Sequence, residues 1–175
     1  PDHQDPVGVY SYFLEYVVNY PSDVWYGRGA RYLRVLQDTS KSAFNLSYID
    51  NISKVERYLS QMGFSVKDID TSISVAKKSF KNRFTGVNKF AKLFLTCVQL
   101  DLLSPPIDTG ESRMIKTPEY KIRSGQEQTA LFRKMGVDAI EDTSKNSNQA
   151  IINDREPEQM VFLTRNAFRV LEVFD

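Results

Sequence analysis

Apolar residues change their period twice along this chain. From Val7 to Phe13 the run VGVYSYF is rich in Val and aromatic residues and partly alternates, which predicts a strand. Leu14 to Tyr20 predicts a helical turn or two, closed by Pro21. Ser22 to Gly29 reads as a loop carrying the only Trp, Trp25. Arg31 to Leu36 predicts a second strand, Asp38 to Ser42 a polar turn, and Phe44, Leu46 and Ile49 a short extended segment. At Ile52 the period becomes helical. Ile52, Val55, Leu59 and Met62 share one face, and Gly63 closes the helix. A longer helical region follows from Val66 to Leu103, with a break predicted near Gly86. Its apolar face is Phe80, Phe84, Val87, Ala91, Phe94, Leu95 and Val98, and Phe80, Phe84 and Phe94 are expected to be buried. Its polar face carries Lys77, Lys78, Lys81, Arg83, Lys89 and Lys92, and Lys77, Lys81 and Lys89 are expected to be exposed.

Ser104 to Arg123 holds three prolines and Gly110 and reads as a long mobile loop. Ser124 and Glu127 have the spacing of a capping box, so Ser124 to Met135 predicts a helix ended by Gly136. Period-2 segments then return. Val137 to Ile140 and Ala150 to Ile152 predict short strands, separated by a turn at Asn146 to Asn148. The acidic turn Glu156-Pro157-Glu158 leads into a strand, Gln159 to Leu163. A last strand, Phe168 to Phe174, carries Arg169 and Glu172 between its apolar positions. The stiff proline thus sets carboxylates at the lip of a buried strand.

Strand groups separated by helices predict an α+β fold with a mixed, mostly antiparallel β core and an inserted helical block at about 51–103. With 175 residues, one domain with a proper core is expected, with a mobile loop at about 104–123. Hydrophobic residues at 41% and charged residues at 26% place the chain among folded globular proteins. The net charge of +1 singles out no partner. One cysteine, Cys97, excludes an internal disulfide framework or a Cys-based zinc site. No apolar run is long enough to span a membrane, and the polar start PDHQDPVG does not read as a signal peptide, so a cytoplasmic setting is expected. The chain lacks an initiator Met, as a fragment or processed product would.

Two blocks, in order, resemble ADP-ribosyltransferase-like domains of the kind found in phage and mobile-element polyvalent proteins. The first is Gly8-Val9-Tyr10-Ser11-Tyr12, a short helix, the strand Arg31 to Leu36, and Asn45-Leu46. The second is Gly136-Val137-Asp138-Ala139-Ile140, then Glu158, then Met160-Val161-Phe162. The matches cover about half of the chain. The resemblance implies an ADP-ribosyltransferase-like β core and the use of NAD to modify a host protein or nucleic acid, in the host cytoplasm or in the virion. It assigns Glu158 as the catalytic carboxylate. Cleaving the nicotinamide–ribose bond builds positive charge on the ribose, which a carboxylate can stabilise. Tyr10 and Tyr12 are candidates to stack against or position the nicotinamide, and Ser11 to hydrogen-bond and fill the serine position of other members. The family's first motif places an Arg or His on a strand well before the Gly-x-Tyr strand. Here that residue lies upstream, is absent, or is replaced by Arg31 or Arg34.

Plainer readings stand beside these. Glu156 and Glu158 fit a solvated turn, Tyr10, Tyr12 and Phe13 a sheet rim, and His3, the sole histidine, a loose terminus. Cys97 fits a small buried hydrophobe, and the lysine-rich face a solvated surface. The alternative to an enzyme is a non-catalytic phage structural or interaction module. Such a module keeps the fold and can bind an anionic partner, nucleic acid included, through the basic helix at 77–92.

Overall fold

The computed structural model describes residues 5–19, 32–103, 120–145 and 149–174. His3, Trp25, Arg31, the Asn146 to Asn148 turn and residues 104–119 of the expected loop lie outside the described residues. The chain divides into two compact units. One is built around Ile49–Met135, the other from Val7–Tyr48 and Gly136–Asp175. The class is α+β, with five α-helices and mostly antiparallel strand pairing among the described residues.

The first unit is largely helical. Helix α2 (Ile52–Gln61) starts where the Asn51 side chain accepts from the Lys54 N–H, and Gly63 at φ +96° follows its end. (The six-residue α1, Leu14–Asn19, belongs to the other unit.) Helix α3 (Val66–Ser79) starts on a Ser65 cap and buries Ile69, Ser72, Val75 and Ala76. The long helical region expected to break near Gly86 breaks earlier. The chain leaves α3 at Phe80, makes a 3-10 turn at Lys81–Arg83, and resumes as α4 (Lys89–Gln99). Phe80 and Phe84 are therefore half-buried, not buried as the continuous pattern predicts, while Phe94 is fully buried. Seven of the eleven α4 residues are buried, which is why its lower turns tolerate almost no polar side chain.

Past α4 the chain turns directly into β4 (Leu100–Leu102), which pairs antiparallel with β5 (Tyr120–Ile122). The end of the expected loop is thus a strand. Arg123, just after β5, closes the C-terminus of α4. Its Nη1 donates to the carbonyls of Val98 at 3.0 Å and Leu100 at 2.7 Å, and its guanidinium lies over the Phe64 ring. Helix α5 (Gly125–Lys134) has the full capping box of Ser124 and Glu127 that their spacing predicts.

The second unit holds a four-stranded sheet in the order β1-β7-β6-β3. Its strands are β1 (Val9–Tyr12), β3 (Ala43–Asn45), β6 (Ala139–Asp142) and β7 (Gln159–Phe162). The β1–β7 and β7–β6 pairs are antiparallel, and β3–β6 is parallel. Strand β6 thus sits two residues later than the sequence predicts. Ala150 to Ile152 is no strand but part of a turn pinned by the Gln149–Pro157 bridge. Strands β2 (Tyr32–Gln37) and β8 (Phe168–Phe174) form a separate antiparallel pair. Its register slips at Arg34/Val35, leaving Leu171 as an extra residue. Val35 and Phe168 from this pair pack on the buried cluster Ala139, Met160, Phe162 and Ala167. Strand β1 approaches β7 closely. A Cβ on Gly8 would stand 2.7 Å from the Phe162 carbonyl oxygen, so only glycine fits there.

Candidate functional site

The two ends of the four-stranded sheet differ in chemistry. Residues directly opposite each other across paired strands share a face. At one end, Val9 meets Phe162, which meets Ala139, which meets Ala43. At the other, Tyr12 is opposite Gln159, which is opposite Asp142, and one step inward Ser11, Met160, Glu141 and Asn45 form the next row. With Glu156 and Glu158 in the turn entering β7, this end collects the polar side chains of the sheet.

Register sorts them onto two faces. Ser11 shares a face with Met160, Phe162, Glu141 and Asn45, and Tyr10 and Tyr12 share the other with Val161, Gln159 and Asp142. Ser11 and Tyr12 are half-buried, and Tyr10 is exposed. On Ser11's face, Asn45 Nδ2 donates to Glu141 at 2.6 Å, and the Asn45 oxygen accepts from Ser47 and Thr143. On the other face, the Tyr12 hydroxyl donates to Glu156 at 2.5 Å. Tyr12 therefore meets the glutamate on the near side of Pro157, the one that the sequence resemblance passes over.

Glu158 is half-buried and accepts a hydrogen bond from the backbone N–H of Ser144. Its pKa is raised above the ordinary 4.5, first by burial and then by the negative charge of Asp142, while the Ser144 bond opposes the shift. Arg34 lies elsewhere, on the β2–β8 pair. It is about half exposed and 3.7 Å from Glu172, an exposed pair of little energetic weight.

Sequence reasoning missed Asp142. It is fully buried at the end of β6. Its Oδ1 accepts from the Ile151 N–H at 2.6 Å, its Oδ2 from Gln159 Nε2 at 2.9 Å, and the Ile152 N–H is 3.3 Å from both oxygens. This carboxylate ties the 149–157 turn to the sheet; the turn carries Glu156, and Glu158 follows it directly. The signal available was an acid at the end of an apolar run, Ala139-Ile140-Glu141-Asp142, but acids are so often exposed that the pattern reads as a strand leaving the core.

Cys97 is buried, and burial pushes its thiol up to about 12, so it is a packing residue with no thiolate to offer. Among the described residues no group of three or more His, Cys, Asp or Glu side chains is placed to hold a metal ion. None of the described helices is long and apolar enough to cross a membrane. Compared with known proteins, the chain matches no family model, no curated protein and no solved structure.

Proposed function

We propose that this protein is an ADP-ribosyltransferase-like enzyme that uses NAD to modify a host protein or nucleic acid. The observation that carries the reading is the pairing of β1 with β7. It brings the two separated blocks of the sequence resemblance into adjacent strands, with Ser11 opposite Met160 and Glu158 two residues before Met160. A hydroxyl and a half-buried carboxylate at one end of a sheet suit the ribose end of a dinucleotide, whose hydroxyls need both donors and acceptors. In the reaction, the bond between C1′ of the ribose and the nicotinamide nitrogen breaks, neutral nicotinamide leaves with the bonding pair, and a nucleophile of the acceptor bonds to C1′ and gives up its proton to solvent. Glu158 stabilises the positive charge that develops on the ribose. Asp142 acts through the turn, as a positioning residue. The affinity of the resembled domains with phages supports a host acceptor, met in the host cytoplasm or by way of the virion.

The test is NAD turnover by the purified protein, with and without a cell lysate as the acceptor source. Glu158→Gln is expected to lower the rate at least about 100-fold, the usual loss when one charge-stabilising group is removed, while the fold stays intact. Glu156→Gln is expected to do less. A wild type that turns NAD over and a Glu158→Gln variant of equal rate would refute the assignment.

A second reading is favoured by the surface of the helical unit: a module that binds an anionic partner through Lys77, Lys78, Lys81, Arg83, Lys89 and Lys92. All but half-buried Lys92 are exposed. The absence of NAD turnover with every acceptor source would leave this reading in place of the first.

A further inference from the structure

We infer that the α3–α4 connection of the helical unit is a binding surface for single-stranded nucleic acid. The inference deepens the anionic-partner reading and rests on it. Residues 71–100 carry six cations and no carboxylate. The end of α3 contributes Lys77 and Lys78, the 3-10 turn Lys81 and Arg83, and α4 Lys89 and Lys92. An ordinary solvated face mixes signs, as α2 does, where Lys54 Nζ lies 2.9 Å from Asp50. None of the six forms an ion pair among the described residues. Asp101 on β4 is already engaged by Lys121 at 3.4 Å and Arg123 at 3.5 Å. Six cations with no counter-charge among the described residues repel one another, and a polyanion relieves that repulsion.

Charge alone would suit any polyanion. Aromatic rings among the cations narrow the choice. Arg83 lies over the Phe80 ring, its Cζ 4.5 Å from the centroid, and Phe80 in turn lies 6.1 Å from Tyr120. Lys89 Nζ stands 5.2 Å from the Phe90 ring. Arg83 is exposed and its guanidinium carbon is backed by the Phe80 ring, the pairing on which an unpaired base can stack. Cations that follow a backbone, alternating with flat groups on which unpaired bases stack, are the recognition chemistry of single strands. A duplex keeps its bases stacked on each other and would use only the charge.

The experiment is fluorescence anisotropy of the full chain with a labelled single-stranded 20-mer, alongside the matching duplex, heparin and polyglutamate. The single strand is expected to bind most tightly, with a salt dependence of slope about −0.7 per phosphate contact. Arg83→Lys keeps the charge and loses the plane. It is expected to weaken single-strand binding about tenfold, the loss of one stacked base, while duplex and heparin binding and the salt slope stay as they were. Lys81→Ala is expected to reduce the slope by about 0.7, and Lys54→Ala to change nothing. Equal binding of single strand, duplex and heparin, or indifference to Arg83→Lys, would overturn the single-strand assignment and leave the anionic-partner reading standing. Tighter binding of polyglutamate would turn that reading towards an acidic protein. No binding to any polyanion at low salt would sink both.

Discussion

Phe94 and Asp142 are both fully buried, one in the helical unit and one in the β unit, and they are held in opposite ways. Phe94 sits in α4 with its ring edge-to-face against Phe132 and Tyr58, at centroid distances of 6.0 and 6.3 Å. Nothing polar is asked of its surroundings. Among the described residues, the buried polar residues of its unit, Ser72, Thr96 and Gln128, are all neutral, and two of these side chains bond to carbonyls: Thr96 to Lys92 and Gln128 to Arg123. Asp142, by contrast, is a carboxylate whose burial depends on three specific donors. Burying a charge costs several kcal/mol unless it is fully hydrogen-bonded. The helical unit is therefore organised by shape and the polar end of the β unit by donors and acceptors, and the second kind of order is what chemistry on a substrate requires.

The largest expected effect tests the shape side. Phe94→Ala should cost about 3–5 kcal/mol, the usual range for deleting a buried Phe, measured by denaturant unfolding. Hydrogen exchange should speed up in α2 to α5 and not in β1, β6 and β7. Equal acceleration in both units would break the comparison, because the two cores would then stand or fall together.

Asp142→Ala tests the other side and should cost somewhat less, about 2–3 kcal/mol. It removes a charged acceptor and leaves the Ile151 and Ile152 N–H groups and the Gln159 amide without it. Here the exchange of the Ile151 and Ile152 amides should rise most. A variant as stable as the wild type would show that water serves these donors as well as the carboxylate, and the contrast with Phe94 would lose its energetic basis.

The two units also differ in how far their sequence could be read. Helix α2 falls at Ile52–Gln61 and α5 at Gly125–Lys134, where spacing and caps place them, because a helix is specified by contacts three and four residues apart. The break in the long helix was legible in kind and misplaced in position. Gly86 does adopt φ +80°, but the helix had already ended at Ser79. Strands β1, β2, β7 and β8 could be read from their Val and aromatic residues. Even the bulge at Leu171 left a trace, in the two adjacent apolar residues Val170 and Leu171. What could not be read was pairing. No local pattern says that Tyr12 meets Gln159, or that Ser11 and Tyr12 fall on opposite faces beside β7. The sequence could thus nominate Tyr10, Ser11, Tyr12 and Glu158, but not that Tyr12 would bond to Glu156, or that Asp142 would anchor the turn between them. Arg123 was hidden for the same reason: its carbonyl partners at the end of α4 and the start of β4 lie more than twenty residues earlier.

The smallest expected effect joins the two glutamates' turn to Asp142. Glu158 holds its proton more tightly in the folded chain than at its ordinary 4.5, because burial and the Asp142 charge both disfavour its ionised form. Between 4.5 and its raised folded value, the native state therefore binds more protons than the unfolded chain. Glu158's contribution to stability is fully present below 4.5 and is lost as pH rises through the folded value. Its size should be well under about 1 kcal/mol, since the side chain is only half-buried and solvent screens it. Carboxyl NMR reads the same quantity at the residue itself. Glu158 should titrate above 4.5 in the wild type, and Asp142→Asn should move its midpoint down, since a neutral amide no longer repels the second charge. On the proposed reading the ionised form of Glu158 acts on NAD, so the acidic limb of any NAD turnover should follow that midpoint and shift with it. A Glu158 midpoint that ignores Asp142→Asn would show that burial alone sets it, and that the buried carboxylate holds the turn without tuning the charge at its lip.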